Sequence, residues 1–366
     1  MNIDFEGYTR AQITTALFSS ARKVRYEYSV ENALGTVLGL LEIQNGSITY
    51  DSKADVMRTF NGYVKKSDLM NIDCIDYRIT PWLCLQMPDG KEAKWPLGKF
   101  LVVPYVEGNS NINMIRITGY DFGKIAYDEK TTSRFYVPAG AVYTAYIAQL
   151  LDEYDNLDID ASTATKAFAQ EWDIGEVDLH LANTLLAAIN YTPLHFDENG
   201  VGQASEYVTP TDRTLDFSYI ANQTSIITDG ISIESDKFNI PNKWVRYTEN
   251  VDADYLISTY VNDSEASPYS TVNRGRTIVD IQNVEDIADQ NTLDAYTIKV
   301  ANEAMQVTDT LTFSTLNMPG HNYQECLWVE IPEYGIADKY VEVGWDMNLT
   351  QGGLMTHRCE KAVSLV

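Results

Sequence analysis

The stretch Trp95–Asp128 constrains the fold most. It reads Trp-Pro-Leu-Gly-Lys-Phe-Leu-Val-Val-Pro, then a polar turn at Glu107–Asn113, then Met-Ile-Arg-Ile-Thr-Gly-Tyr-Asp-Phe-Gly-Lys-Ile-Ala. Two β-type runs, Phe100–Val103 and Met114–Thr118, flank a loop of Gly, Asn and Ser. Ile115 and Ile117 alternate with Arg116 and Thr118, the period of a half-buried strand. The segment is therefore predicted to be an antiparallel hairpin with one face in a core.

Upstream residues extend the same texture. Lys23–Ser29 alternates Val24, Tyr26 and Tyr28 with charged residues. Asn45-Gly46, between two β-prone runs, predicts a tight hairpin because this pair tolerates positive φ angles. Met57–Val64 and Asp76–Met87 read as strands, the second followed by a Pro88-Asp89-Gly90 turn. Six or seven short strands before residue 125 have the spacing of a barrel or sandwich.

At about Pro138 the period changes. Tyr143, Ile147, Leu150, Leu151 and Tyr154 fall on one helical face, and a second helix from Val177 lines up Leu181, Leu185, Ala188 and Ile189. Asn190 and the strand-like Tyr191–Phe196 end it, and Asp197-Glu198-Asn199-Gly200 reads as a hairpin turn. Residues 152–216 hold fourteen Asp/Glu against two Lys/Arg, and so carry −12 of the chain's net −25. The plain reading of such a charge run is a solvated helical face. β-type runs resume at Phe217, with Ile226–Ile233 broken at Gly230 and then Trp244–Thr248. The polar stretch Asn262–Arg276 is expected to be a surface loop or rim. Val284–Met305 repeats Leu293, Tyr296, Val300 and Ala304 at helical intervals. Strands follow at Leu311 and Phe313, at Leu327–Ile331, and at Val341, Val343 and Trp345, which alternate against Glu342, Gly344 and Asp346. The expected class is α+β, mainly β. Residues 1–130 would form a first β domain, 131–216 an acidic helical insertion with a hairpin, and 217–366 a second β domain with one helix and a long polar loop.

The chemistry of the sequence is sparse. Its 366 residues are enough for two or three domains that each bury a core. There is no basic-then-apolar leader and no run near the ~18 apolar residues of a membrane span, so a soluble chain made in a cytosol is expected. Cys74, Cys84, Cys326 and Cys359 are too scattered for a disulfide framework or a zinc site and read as buried thiols. His180, His195, His321 and His357 lie in four segments without ligand-type spacing, which makes each a structural, hydrogen-bonded residue. Gly-x-Ser-x-Gly, His-Glu-x-x-His and Walker patterns are missing, and Gly200-Val-Gly202-Gln-Ala-Ser205 fails the dinucleotide pattern at its third glycine. No catalytic, cofactor-binding or metal-binding residue is assigned, and the expectation is a non-enzyme. A net charge of −25 repels phosphate backbones, which argues against sequence-specific nucleic-acid binding. The 24 tyrosines suit wet interfaces as well as strand cores.

Several stretches, taken in order, resemble phage tail baseplate hub proteins. In the first half these are Ile43–Asp51, Arg58-Thr59, Trp95–Phe100, Gly119-Tyr120-Asp121, Leu185–Tyr191 with Asp197 and Gly200, and Tyr207–Arg213. In the second they are Pro241-Asn242, Arg274-Gly-Arg276, Met318–His321, Lys339-Tyr340, Trp345 and Met355–His357. The resemblance implies two related tube-type β-barrels per chain, decorated by insertions. It also implies a homotrimer forming a pseudo-hexameric ring between a hexameric tail tube and a trimeric spike, with other baseplate proteins as further partners. Such a hub belongs to the baseplate of a phage or a contractile phage-tail-like bacteriocin, assembled in the host cytoplasm, and an acidic bore would keep DNA from adhering. Many hubs continue into a peptidase or lysozyme domain, whereas this sequence stops at Val366, so wall degradation would fall to another protein. Two rival classes remain open at this stage: a tail-associated cell-wall hydrolase component, and a receptor- or glycan-binding tail protein with Tyr136, Tyr143 and Tyr146 as a sugar platform.

Overall fold

The computed structural model describes residues 3–19, 21–70, 77–105, 113–152, 154, 156–235, 238–249, 255–284, 286–306 and 309–362. Its first β region comprises β1 (Val24–Glu31), β2 (Val37–Leu40), β3 (Ile43–Asp51), β4 (Arg58–Lys65), β5 (Arg78–Gln86), β6 (Glu92–Pro96), β7 (Phe100–Tyr105) and β8 (Met114–Tyr120). β7 and β8 pair antiparallel from Leu101↔Tyr120 to Tyr105↔Arg116, as the alternation requires. Ile115 and Ile117 are buried while Arg116 is exposed. Of the expected turn between them, residues 107–112 lie outside the described residues.

The fold is α+β and mainly β, and its two β regions meet in one 14-stranded sheet. The hydrogen-bonded order runs Ile227–Ser235, Asp309–Leu316, Leu354–Lys361, Ile336–Leu349, then β3, β4, β8, β7, β5, β1 and β2. β6 adds to β5, and Phe217–Ile220 runs parallel to Cys326–Ile331, which itself pairs with Ile336–Leu349. The seam between the regions is β3 against Ile336–Leu349, in register from Gly344↔Asp51 to Leu349↔Gly46. No pairing among the described residues joins the two ends of this order. One core underlies both regions, containing Ile79, Phe60 and Phe100 from the first and Tyr219, Phe313 and Trp345 from the second. A fully buried aromatic or aliphatic side chain of this kind contributes about 1.5–3 kcal/mol by leaving water.

Three local expectations change. Asn45-Gly46 does not turn the chain. β3 runs straight through it as a bulge, with the β3–β4 register shifting between Gln44 and Ser47. Asn45 takes the positive φ of 51° that the pair favours, but the missing side chain of Gly46 serves packing: a Cβ there would lie 2.4 Å from the Tyr28 hydroxyl. The alternation over 341–346 is also broken by a bulge, where the pairing with Leu354–Lys361 shifts between Glu342 and Gly344. Val341, Glu342 and Trp345 are all buried as a result, and Glu342 does not face solvent. The stretch Asn262–Arg276 is not wholly surface. Asn262, Tyr269 and Ser270 are buried, and Ser270 caps a short helix, Thr271–Arg274. Tyr269 packs there with Trp244 and Met305 in a small separate core. Polarity misleads at this point because Asn262 bonds Ser267 Oγ at 2.9 Å and accepts Thr271 N–H at 2.8 Å, so its polar groups are satisfied inside.

The helical part has its own core of Tyr143, Ile147, Leu151, Leu179, Leu185, Leu186, Leu194 and Phe196. The helices Tyr143–Leu150 and Asp178–Ala187 supply most of it, at the spacing the sequence indicates. Gly200 turns the Asp197–Gly200 loop at φ 81° between His195–Phe196 and Gly202–Ala204. The last helix, Gln290–Gln306, lies against the small sheet formed by Lys243–Tyr247, Ile257–Val261 and Val279–Asn283.

Candidate functional site

Some of the residues that carry the family resemblance, among them Thr49, Tyr50, Arg58, Asp121, His321 and Trp345, converge at the seam. Arg58 opens β4, wholly buried, with its guanidinium 5.7 Å from the Tyr50 ring and 5.9 Å from the Trp345 ring. Its backbone N–H donates to Asp121 Oδ2 at 2.6 Å, and Nη2 donates to the His321 carbonyl at 3.0 Å and to Asn322 Oδ1. Asp121 also accepts Gly123 N–H at 2.9 Å. Burial pushes the Asp121 carboxyl up to about 6, against the pull of these donors. Asn322 Nδ2 donates to Glu198 Oε2 at 2.6 Å, tying in the turn at Asp197–Gly200. Across the seam Tyr50 stacks on Trp345 at 5.6 Å, and Thr49 Oγ1 donates to Asp346 Oδ1 at 2.7 Å. Gly344 has no room for a side chain, since a Cβ would lie 2.6 Å from Arg358 Nη2 and 2.9 Å from the Tyr50 carbonyl.

Beside this node lies a cluster that sequence spacing hides. Glu342 is wholly buried between two buried histidines: His321 Nδ1 is 2.5 Å from Oε2 and His357 Nδ1 is 2.5 Å from Oε1. Tyr219 OH lies 2.8 Å from His321 Nε2, and Thr315 Oγ1 lies 2.8 Å from His357 Nε2. An ionised carboxylate only accepts, so both Nδ1 atoms carry hydrogen and both Nε2 atoms are free to accept from the hydroxyls. Burial acts to raise Glu342, but the two imidazoles outweigh it and hold the carboxyl down at about 2. Burial lowers His357 below the usual imidazole range.

Two histidines and a carboxylate are also a metal-ligand set. The spacing fits protons instead. Ligands of one tetrahedral cation, each at ~2.0–2.1 Å, stand more than about 3 Å from one another, whereas each Nδ1 here sits at the 2.5 Å of a charge-assisted hydrogen bond. The array holds hydrogens and locks together the loop before Cys326–Ile331 and the strands Ile336–Leu349 and Leu354–Lys361. The only sequence signal for it is the Met318–His321 and Met355–His357 motifs, and neither points at Glu342.

The other two histidines stay apart. His195 bonds the Pro193 carbonyl at 2.9 Å and stacks on Tyr323, while His180 sits half exposed, 3.4 Å from Asp55. Cys84, Cys326 and Cys359 are free and buried, and Cys74 lies outside the described residues. The sugar platform loses its centre, because Tyr143 is buried with its hydroxyl donating to Asp286 at 3.0 Å.

A second acidic feature sets a pH dependence. Burial first, then the hydrogen bond that its protonated carboxyl donates to Asp216 and repulsion by that carboxylate, raise Glu325 to about 9, while Asp216 also accepts Cys326 N–H at 2.9 Å. A carboxyl raised on folding stabilises fully below its unfolded value near 4.5, and that contribution is lost as pH climbs through about 9. The melting temperature is therefore expected to fall between pH 6 and pH 9, and Glu325→Gln to flatten that slope. An unchanged slope in the variant would show that the proton is not shared there.

No protein-family model and no curated protein matches the chain. Solved structures do. A tail protein from Neisseria meningitidis superposes with TM-score 0.64 at 14% identity, over 92% of this chain and 97% of that one. The chain has the fold of tail proteins. A 43 kDa tail protein of prophage MuSo2 from Shewanella oneidensis gives 0.61 at 11% identity, over 92% and 98%. A prophage tail protein from Listeria monocytogenes gives 0.57 at 10% identity, over 93% and 96%. The tail-protein fold thus extends over both β regions and the helical part between them, with the seam node at its centre.

Proposed function

We propose that this chain is the structural hub of a phage baseplate or related tail-like particle, a homotrimer whose pseudo-hexameric ring adapts a hexameric tube to a trimeric spike. The observation that carries this reading is the seam. One chain places two β regions side by side in a continuous sheet over a shared core, so three chains present six such units. Likeness to tail proteins over more than nine-tenths of both chains supports the tail setting. A closed ring of three also suits heterologous contacts, which must close or run on as a filament. The role is architectural and not catalytic. Arg58 bonds Asn322, and Glu342 bonds His321 and His357; among the described residues of the seam none is a nucleophile set beside its base in a cleft. Tube, spike and neighbouring baseplate proteins are the partners, and the tail of the particle is the location.

The test is the mass of the purified protein by light scattering over a concentration series. A species near three times 41.2 kDa is expected, and it should bind tube and spike proteins but not host cells. A chain that stays monomeric with and without the spike would overturn the hub reading.

A further inference from the structure

The main hydrogen-bonded order of the 14-stranded sheet has two ends, and one of them is built to be covered. Between Glu31 and Glu42 the ten residues 32–41 carry no charge. They form a hairpin arm that leaves the sheet after β1, with β2 held only at Ser29↔Leu40, Val30↔Gly39 and Glu31↔Val37. Its turn is fixed: Asn32 N–H donates to the Thr36 carbonyl at 3.0 Å, and Asn32 Oδ1 accepts Leu34 and Thr36 N–H at 3.0 and 2.9 Å. Arg78 pins the base through the Asn32 carbonyl at 3.2 Å. This ordered turn holds Leu34, Val37, Leu38 and Leu40 in solvent at 90, 63, 45 and 66% exposure. Successive strand residues point to opposite faces, so both faces of β2 are apolar and bare, and its outer edge has no partner among the described residues. Natural edge strands are protected by charge, proline or a cover. This one has none of them.

The other end of the same sheet is Ile227–Ser235. It pairs only with Asp309–Leu316 among the described residues and exposes Ile233 at 52%. We propose that β2 of one copy docks on the outer edge of Ile227–Ser235 of the next, continuing the sheet from chain to chain. The occupant is a second copy because both halves of the contact lie on one chain, at opposite ends of one hydrogen-bonded order. Charge agrees on the side of the arm: copies at −25 each repel, and residues 32–41 bring no charge to a contact whose receiving strand carries two, Asp229 and Glu234. The contact is heterologous and closes into a ring. The trimer itself rests on the function proposed above, while the choice of surfaces does not follow from it.

Val37→Asp with Leu40→Asp, and separately Ile233→Asp, test the contact at side chains whose exposure spares the fold, which circular dichroism checks. Each variant is expected to be monomeric where the wild type is trimeric, with assembly weakened at least about 100-fold. A mixture of the two retains one intact arm and one intact edge, and should form a dimer that cannot close. A trimeric wild type whose variants also remain trimeric overturns the interface alone. A wild type that is monomeric at every concentration, alone and with spike, overturns the hub reading and the interface with it.

Discussion

Glu342→Ala is expected to lower the unfolding free energy by about 3–6 kcal/mol, because it strands two buried imidazole N–H groups at about 1–3 kcal/mol each. The void left behind adds to this. Glu342→Gln should cost far less. Its amide oxygen accepts from one Nδ1–H, and the other imidazole can move its hydrogen to Nε2, where the Tyr219 or Thr315 hydroxyl turns to accept it. Urea unfolding of the two variants separates these cases. Equal losses would mean that the carboxylate's charge, and not its acceptor geometry, holds the array. The acid limb provides a second reading. A carboxyl depressed to about 2 stabilises above its unfolded value near 4.5, and that contribution is lost as pH falls through about 2. Glu342→Gln should therefore remove part of the wild type's acid sensitivity as well.

The array also shows where sequence reasoning stops. Periodicity located β4 and β8 because each follows a period of two without interruption, while β5 and β7 were legible as β-prone runs bounded by turn residues. It located the helices Asp178–Ala187 and Gln290–Gln306 because their apolar residues recur on one face. It failed wherever one extra residue changes the phase. The bulge at Glu342–Gly344 carries a charged residue into the core, and that bulge depends on Gly344 meeting Arg358 and Tyr50 from other strands. The bulge at Asn45-Gly46 uses the dipeptide's φ preference without its turn, because β3 continues along a neighbour nearly 300 residues away in sequence. Local preference set the backbone angle in both places, and long-range pairing decided its use. The motif residues were legible one by one, and only the seam shows that Arg58, Asp121, His321, Trp345 and His357 share one neighbourhood. Glu342 had no motif of its own, so the cluster stayed invisible.

Lys166→Ala should be nearly as damaging, at about 3–5 kcal/mol, by a different route. Lys166 and Asp286 form an ion pair with both side chains out of solvent, and Asp286 also accepts the Tyr143 hydroxyl at 3.0 Å. The ammonium donates to Gln170 Oε1 at 2.7 Å and is surrounded by Tyr143, Phe168 and Trp172 at 5.4, 5.0 and 5.5 Å. Burial lowers the Lys166 pKa while Asp286 opposes the shift. This pair joins the helical core to the segment before Gln290–Gln306, 120 residues along the chain. Removing the lysine leaves a buried carboxylate whose remaining hydrogen bond among the described residues is from the Tyr143 hydroxyl, and it is that orphaned charge that destabilises. Lys166→Met with Asp286→Leu removes both charges and should recover most of the loss. A double-mutant cycle in urea measures the difference. If the double variant is as unstable as Lys166→Ala, packing of the lysine stem among the three rings is the larger part of the effect. Native-state hydrogen exchange then locates it, because a clasp that fails locally exposes the Tyr143–Leu150 helix before the large sheet opens.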